Sequence, residues 1–165
     1  MRLVHIVDKW LARLELGIAL LAMTGLVTLL IAQVFFRYVL GAPLFFAEEL
    51  ALVLLVIATF TGLSLLVAEK KLVAVDAMQS IIGPRAHRWT AWLMRLIVFA
   101  VSAILVWTAY RYLSVPWVWI EQSPTLGLPT AWIYLAVAGE LLALSFHQLV
   151  QVIDTWPGAT RERAA

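Results

Sequence analysis

The sequence predicts an all-α integral membrane protein with four transmembrane helices, and three observations carry that prediction. Hydrophobic residues make up 64% of the 165 residues and charged residues 13%, against about half and roughly a quarter in soluble domains. Uncharged runs close to the ~20 residues that cross a hydrocarbon core recur along the chain. Lysine and arginine fall almost wholly on one side of a four-crossing trace. A soluble fold of this size has too much surface for its volume to hide so apolar a chain, which excludes a soluble enzyme. The chain has no cysteine, which excludes a disulfide scaffold, a thiolate metal site and an iron–sulfur carrier. Its formal net charge of +2 comes from scattered residues that make no nucleic-acid stripe.

The first span, residues 16–36, runs from Leu16 to Phe36 without a charge and is closed by Arg37 and Tyr38. At 1.5 Å per residue it crosses a core of about 30 Å. It is longer than a signal-peptide core and ends without a small-residue cleavage site, so it is expected to stay in the mature protein. Residues 1–15 read as a short lead-in with Trp10 at the interface. The second span, residues 50–67, is entered from Glu48 and Glu49 and left at Glu69, Lys70 and Lys71. Adjacent acids diverge by about 100° on a helix, so Glu48 and Glu49 suit helix N-terminal stabilisation better than a shared metal. Residues 72–83 carry Val75, Met78, Ile81 and Ile82 at helical spacing before Gly83-Pro84, which predicts a short interfacial helix in the central loop.

The third span, residues 93–112, has an apolar middle from Leu96 to Tyr110 bounded by Arg95 and Arg111. It reaches across if both arginines extend to the headgroups and Trp89, Trp92, Tyr110 and Tyr112 anchor the interfaces. Residues 114–130 hold Trp117, Trp119, Pro116, Pro124 and Pro129, which cannot be one helix and read as an aromatic cap. The fourth span, residues 131–152, is long enough but carries Glu140 and His147. Ten of the twelve Lys and Arg residues then share a side with both termini and the central loop, and only Arg37 and Arg111 lie opposite. This predicts cytoplasmic N and C termini. No repeat or linker divides the chain, so a single membrane domain over 1–165 is expected.

Glu140 is the costliest residue of this reading, at roughly 2.5–3.5 kcal/mol for an ionised acid at mid-membrane. Glu140, His147, Gln151 and Asp154 lie within about 40° of one line on a helix. The stripe reads either as a proton path or as a face hydrogen-bonded to another helix or a partner, and the second reading is preferred. A relay needs several titrating groups in contact, and the other predicted spans offer hydroxyls and one glutamine. A haem needs two membrane histidines, and only His147 qualifies. Ala51, Ala58 and Gly62 share a face of the second helix, while Gly17, Gly25, Thr28 and Ala32 cluster on the first, as in close helix packing. Four helices with so little polar lining do not easily enclose a substrate path, so a larger partner is expected.

Ordered motifs carry a family resemblance. R-Y-V-L-G-A-P-L-F-F-A-E-E-L runs from Arg37 to Leu50, Gly62 follows late in the second span, V-A-V-D ends at Asp76, and T-L-G-L-P-T-A-W-I-Y-L-A-V runs from Thr125 to Val137. Over roughly residues 15 to 150 the chain resembles the small membrane subunit, the DctQ type, of tripartite ATP-independent periplasmic (TRAP) transporters. It departs from that pattern at Phe46-Ala47, Leu52 and Leu72, and no role is carried to those positions. The resemblance implies a non-catalytic scaffold in the bacterial inner membrane. It implies as partners a large TRAP membrane subunit and a periplasmic solute-binding protein that captures a solute such as an organic acid. Membrane lipid is a further expected partner, and nucleic acid is not. No cofactor is expected in this chain, and sodium coupling is expected in the large subunit. Arg37, Glu48, Glu49 and Asp76 match the motifs and are the implied positioning or intersubunit residues. Gly62 and Glu140 join them on physical grounds, and Glu140→Leu is expected to weaken copurification of the large partner. The alternative is a self-contained proton-coupled exporter using Glu140. A third class is a quinone- or haem-site membrane anchor.

Overall fold

The computed structural model describes residues 2–69 and 84–155. The interfacial helix expected at 72–83, and with it Asp76, lies outside them. The described residues form five helices: α1 (Arg2–Tyr38), α2 (Ala47–Ala68), α3 (Pro84–Leu113), the short α4 (Trp117–Ile120) and α5 (Ala131–Asp154). Four of these, all except α4, are long and apolar enough to cross a membrane. The third helix is not marginal, because 30 residues reach about 45 Å at 1.5 Å each. Its membrane-length apolar stretch runs from Trp89 to Leu113, 25 residues.

The lead-in of residues 1–15 is not a separate element, since α1 is one helix of 37 residues. No glycine or proline interrupts residues 2–16, and the acids of this stretch find partners on α5, so nothing breaks the hydrogen-bond ladder. The turn after α1 uses Gly41 at φ 64°, a left-handed conformation that costs other residues more. There the Ala42 N–H donates to the Phe36 carbonyl at 3.0 Å.

Packing runs in a row: α1 on α2, α2 on α5, and α5 on α3, with a smaller α1–α5 contact. Among the described residues α3 makes at most a marginal contact with α1 or α2, so the helices do not close into a ring. Burial follows the same order. Of the most apolar stretch of each helix, 28% is buried in α2 and α5 but 6% in α1 and α3. The two central helices touch neighbours on both sides, while the flanking helices turn most of their surface outward.

Small residues make this packing possible where side chains approach. Ala47, Ala51 and Ala58 of α2 are buried, and a Cβ at Gly25 of α1 would sit 3.5 Å from the Leu54 side chain. Gly62 differs from these, because a Cβ there would meet nothing within 4 Å. The Gly62 surface is open within this chain.

At the far end of α3 the aromatic cap is built from edge contacts. Tyr112 meets Trp117 at 5.7 Å and Tyr134 at 4.7 Å between ring centroids, and Trp119 meets Trp132 at 6.4 Å. The Trp119 indole N–H donates to the Leu113 carbonyl at 2.9 Å, satisfying an orphan acceptor at the end of α3.

Candidate functional site

Two polar constellations sit at opposite ends of the helices. The first joins α1, α2 and α5. Asp8 and Glu15 are seven residues apart and nearly in line on α1, about 10 Å along its axis. The His147 ring of α5 lies between them, with Nδ1 2.6 Å from Asp8 Oδ1 and Nε2 3.2 Å from Glu15 Oε2. The other Glu15 oxygen accepts the Ser64 hydroxyl of α2 at 2.7 Å. Glu15, Ser64 and His147 are all buried. One turn beyond His147, Gln151 donates its side-chain N–H to the Val67 carbonyl in the last turn of α2. At the end of the helices His5 Nε2 lies 3.3 Å from Asp154 Oδ1. His5 with Asp154 and Asp8 with His147 step along α1 and α5 in antiparallel register.

The chemistry of this cluster follows from donor counting. A neutral imidazole has one N–H and one lone pair. Between two carboxylate oxygens only one of its contacts is then a hydrogen bond, so the Asp8–His147–Glu15 trio needs one more proton, on the ring or on a carboxyl. Both ring nitrogens are engaged, which leaves His147 no free lone pair for a metal. Among the described residues no group of three His, Cys, Asp or Glu residues is arranged to hold a metal ion.

Glu140 belongs to the same side of α5. It lies beside Thr61 of α2 and within electrostatic range of Glu15, while one of its oxygens is buried without a hydrogen-bond partner. Glu140, the costliest residue on the sequence reading, is not the only enclosed acid among the described residues. Glu15 is the more enclosed, at 2% exposure. The His147–Gln151–Asp154 stripe is hydrogen-bonded or ion-paired to α1 and α2, as the preferred reading expects. Asp8 and Glu15 of α1, which precede the uncharged run that begins at Leu16, meet this stripe at His147. Gln148, next to His147, is fully buried with both amide atoms unpartnered.

The second constellation lies at the other end. Gln33 of α1 donates to Glu48 at 3.2 Å, and the Arg37 guanidinium stands 5.8 Å over the Tyr38 ring. Glu48 and Glu49 occupy the first turn of α2, where the macrodipole favours acids. Glu49 does more than that. Its Oε2 accepts the Thr125 N–H at 3.0 Å, the Leu126 N–H at 3.3 Å and the Thr125 hydroxyl. Two successive backbone donors on one carboxylate form an anion-binding nest.

The loop that offers this nest is closed on itself. Ser123 N–H donates to Leu128 O at 2.9 Å and Thr130 N–H to Glu121 O at 3.0 Å, with Gly127 at φ 65° in the turn. The acid-pair motif and the T-L-G motif, 76 residues apart, thus form one surface. Among the candidates from sequence, the structure brings Glu48 and Glu49 to this end with Arg37 nearby on α1. Glu140 lies in the other cluster, and Gly62 lies on the open face of α2. Asp8, Glu15, Ser64 and His147 are the network that sequence reasoning did not assemble. The seven-residue spacing of Asp8 and Glu15 beside a helical run was the available signal.

The sequence was compared with known proteins. The family model described as the DctQ component of tripartite ATP-independent periplasmic transporters matches residues 26–158. The chain is 29% identical over 99 residues to the sialic acid TRAP transporter permease protein SiaT of Haemophilus influenzae (strain 86-028NP). That match covers 60% of this chain and 15% of the relative's length. No solved structure matches the chain. With four membrane-length helices and a family match over most of its length, the chain belongs to the DctQ component family of TRAP transporters.

Proposed function

We propose that this chain is the small permease subunit of a TRAP transporter, a non-catalytic scaffold that braces a large transport subunit. In this reading both termini lie in the cytoplasm. The nest formed by Glu49 and the Ser123–Thr130 loop contributes to the docking surface for a periplasmic solute-binding protein. The solute is an organic acid or similar molecule, and coupling to sodium belongs to the large subunit. Arg37 and Glu48 position the docking surface, and the Gly62 face of α2 receives the large subunit. Asp76 is assigned to a contact on the cytoplasmic side from its motif alone.

The open row is the observation that carries this reading. Helices that do not close around an interior leave broad apolar faces exposed among the described residues. Asp8, Glu15, Ser64, His147 and Gln151 tie α1, α2 and α5 together, which supports bracing over conduction. The match to a small fraction of a longer permease agrees with a subunit that works beside a larger one.

The test is coexpression with the large subunit in mild detergent. Gly62→Leu is expected to lower the yield of the large subunit, and Glu140→Leu to weaken it through the α5 packing. Glu49→Ala is expected to weaken capture of the binding protein while the two membrane subunits stay together. Unchanged yield and unchanged capture in all three variants would contradict the reading.

A further inference from the structure

The charges at the start of α1 look mixed in the sequence and are sorted in the fold. Its acids turn inward, Asp8 to His147 and Glu15 to His147 and Ser64. Lys9 and Arg13 turn outward. They are exposed and four residues apart, so they share a face. Neither makes an ion pair among the described residues. The Arg13 guanidinium stands 5.8 Å over the Trp10 ring, which is itself 61% exposed. The carboxylates that would neutralise these cations nearby are occupied in the interior, and the outward field is left uncompensated.

Depth then selects the counter-charge. The uncharged run beginning at Leu16 fills a core of about 30 Å, and Arg13 and Lys9 precede it by about 4.5 and 10 Å along the helix. That is the level of the headgroup phosphates, where tryptophan also favours the interface. We propose that Lys9, Trp10 and Arg13 form a binding site for anionic phospholipid headgroups, of phosphatidylglycerol type, in the leaflet at the N-terminal end of α1. The guanidinium edge and the ammonium donate to phosphate oxygens, while the indole that carries Arg13 packs among the glycerol and upper acyl groups. The site rests on membrane embedding and on this charge sorting, and it is independent of the transport reading.

The experiment is native mass spectrometry of the full chain, delipidated in mild detergent and titrated with palmitoyl-oleoyl phosphatidylglycerol or the matching phosphatidylcholine. Each surface cation is worth about fivefold in binding anionic lipid, so roughly 25-fold of preference is at stake. The wild type is expected to prefer phosphatidylglycerol by about that factor. K9Q/R13Q is expected to lose the preference with helix content unchanged by circular dichroism, and K9R/R13K to keep it. Equal binding of the two lipids by the wild type would overturn the proposal. So would a neutral variant with wild-type preference. Protection of Lys9 from acylation only in the presence of a protein partner, with no lipid preference, would assign the surface to that partner instead.

Discussion

Replacing His147 by leucine removes the group that separates Asp8 from Glu15, and its cost can be bounded from the structure. Glu15 is 2% exposed and keeps only the Ser64 hydroxyl at 2.7 Å. Breaking a buried ion pair by removing one partner costs about 3–5 kcal/mol in soluble proteins, because a charge is left buried and uncompensated. Hydrogen-bonded pairs between membrane helices average about 0.6 kcal/mol and reach about 1.7. The uncompensated charge dominates here, since Glu15 is enclosed by three helices and Asp8 alone is near the surface, with 22% of its side chain exposed. We expect His147→Leu to destabilise the chain by about 3 kcal/mol. The double variant E15L/H147L leaves no buried carboxylate at that site and is expected to recover at least about 1 kcal/mol of the loss, a clear departure from additivity. Unfolding in mixed dodecylmaltoside and dodecylsulfate micelles, followed by far-UV circular dichroism, measures both. A single variant within about 0.5 kcal/mol of wild type, or strictly additive effects, would refute the assignment of the network as the clamp between α1 and α5.

Three further outcomes follow from the other end of the helices and from the open helix face. Glu49→Ala removes the acceptor for the Thr125 and Leu126 N–H groups, so amide exchange at those two residues is expected to accelerate by about an order of magnitude or more, at roughly 1.5–3 kcal/mol for charge-assisted bonds. Amide hydrogen–deuterium exchange read by mass spectrometry checks it. Gly62→Ala meets nothing within 4 Å and is expected to leave the isolated chain as stable or more stable by up to about 1 kcal/mol, which thermal unfolding in detergent measures. Gly127→Ala has space but forces a side chain at φ 65°, and is expected to cost about 1–2 kcal/mol and loosen the Ser123–Leu128 turn in the same exchange experiment.

The four crossings were legible because composition and run length report the solvent of a helix directly, whatever it packs against. The family was legible because ordered motifs recur along the chain, two of which, from Arg37 to Leu50 and from Thr125 to Val137, include turns and helix starts in the fold. The row arrangement was not legible. α2 is apolar on nearly every side, and a helix without a polar face does not announce which neighbour it touches. The polar stripe of α5 was visible from spacing, and its partners on α1 were not. Asp8 and Glu15 fall in the lead-in of residues 1–15, before the uncharged run that begins at Leu16. Only the pairing with His147 draws them inside. The Glu49 nest was hidden for a different reason, since its donors are backbone N–H groups of a loop 76 residues away and carry no side-chain signature.

We propose that this chain supports transport without conducting. Proteoliposomes made with the chain alone, with the copurified large subunit, and with both plus the binding protein test it most directly by uptake of radiolabelled organic acid. Solute accumulation is expected only in the complete assembly, and the chain alone is expected to match empty vesicles. Uptake or proton-coupled efflux by vesicles holding this chain alone, abolished by Glu140→Gln, would contradict the account.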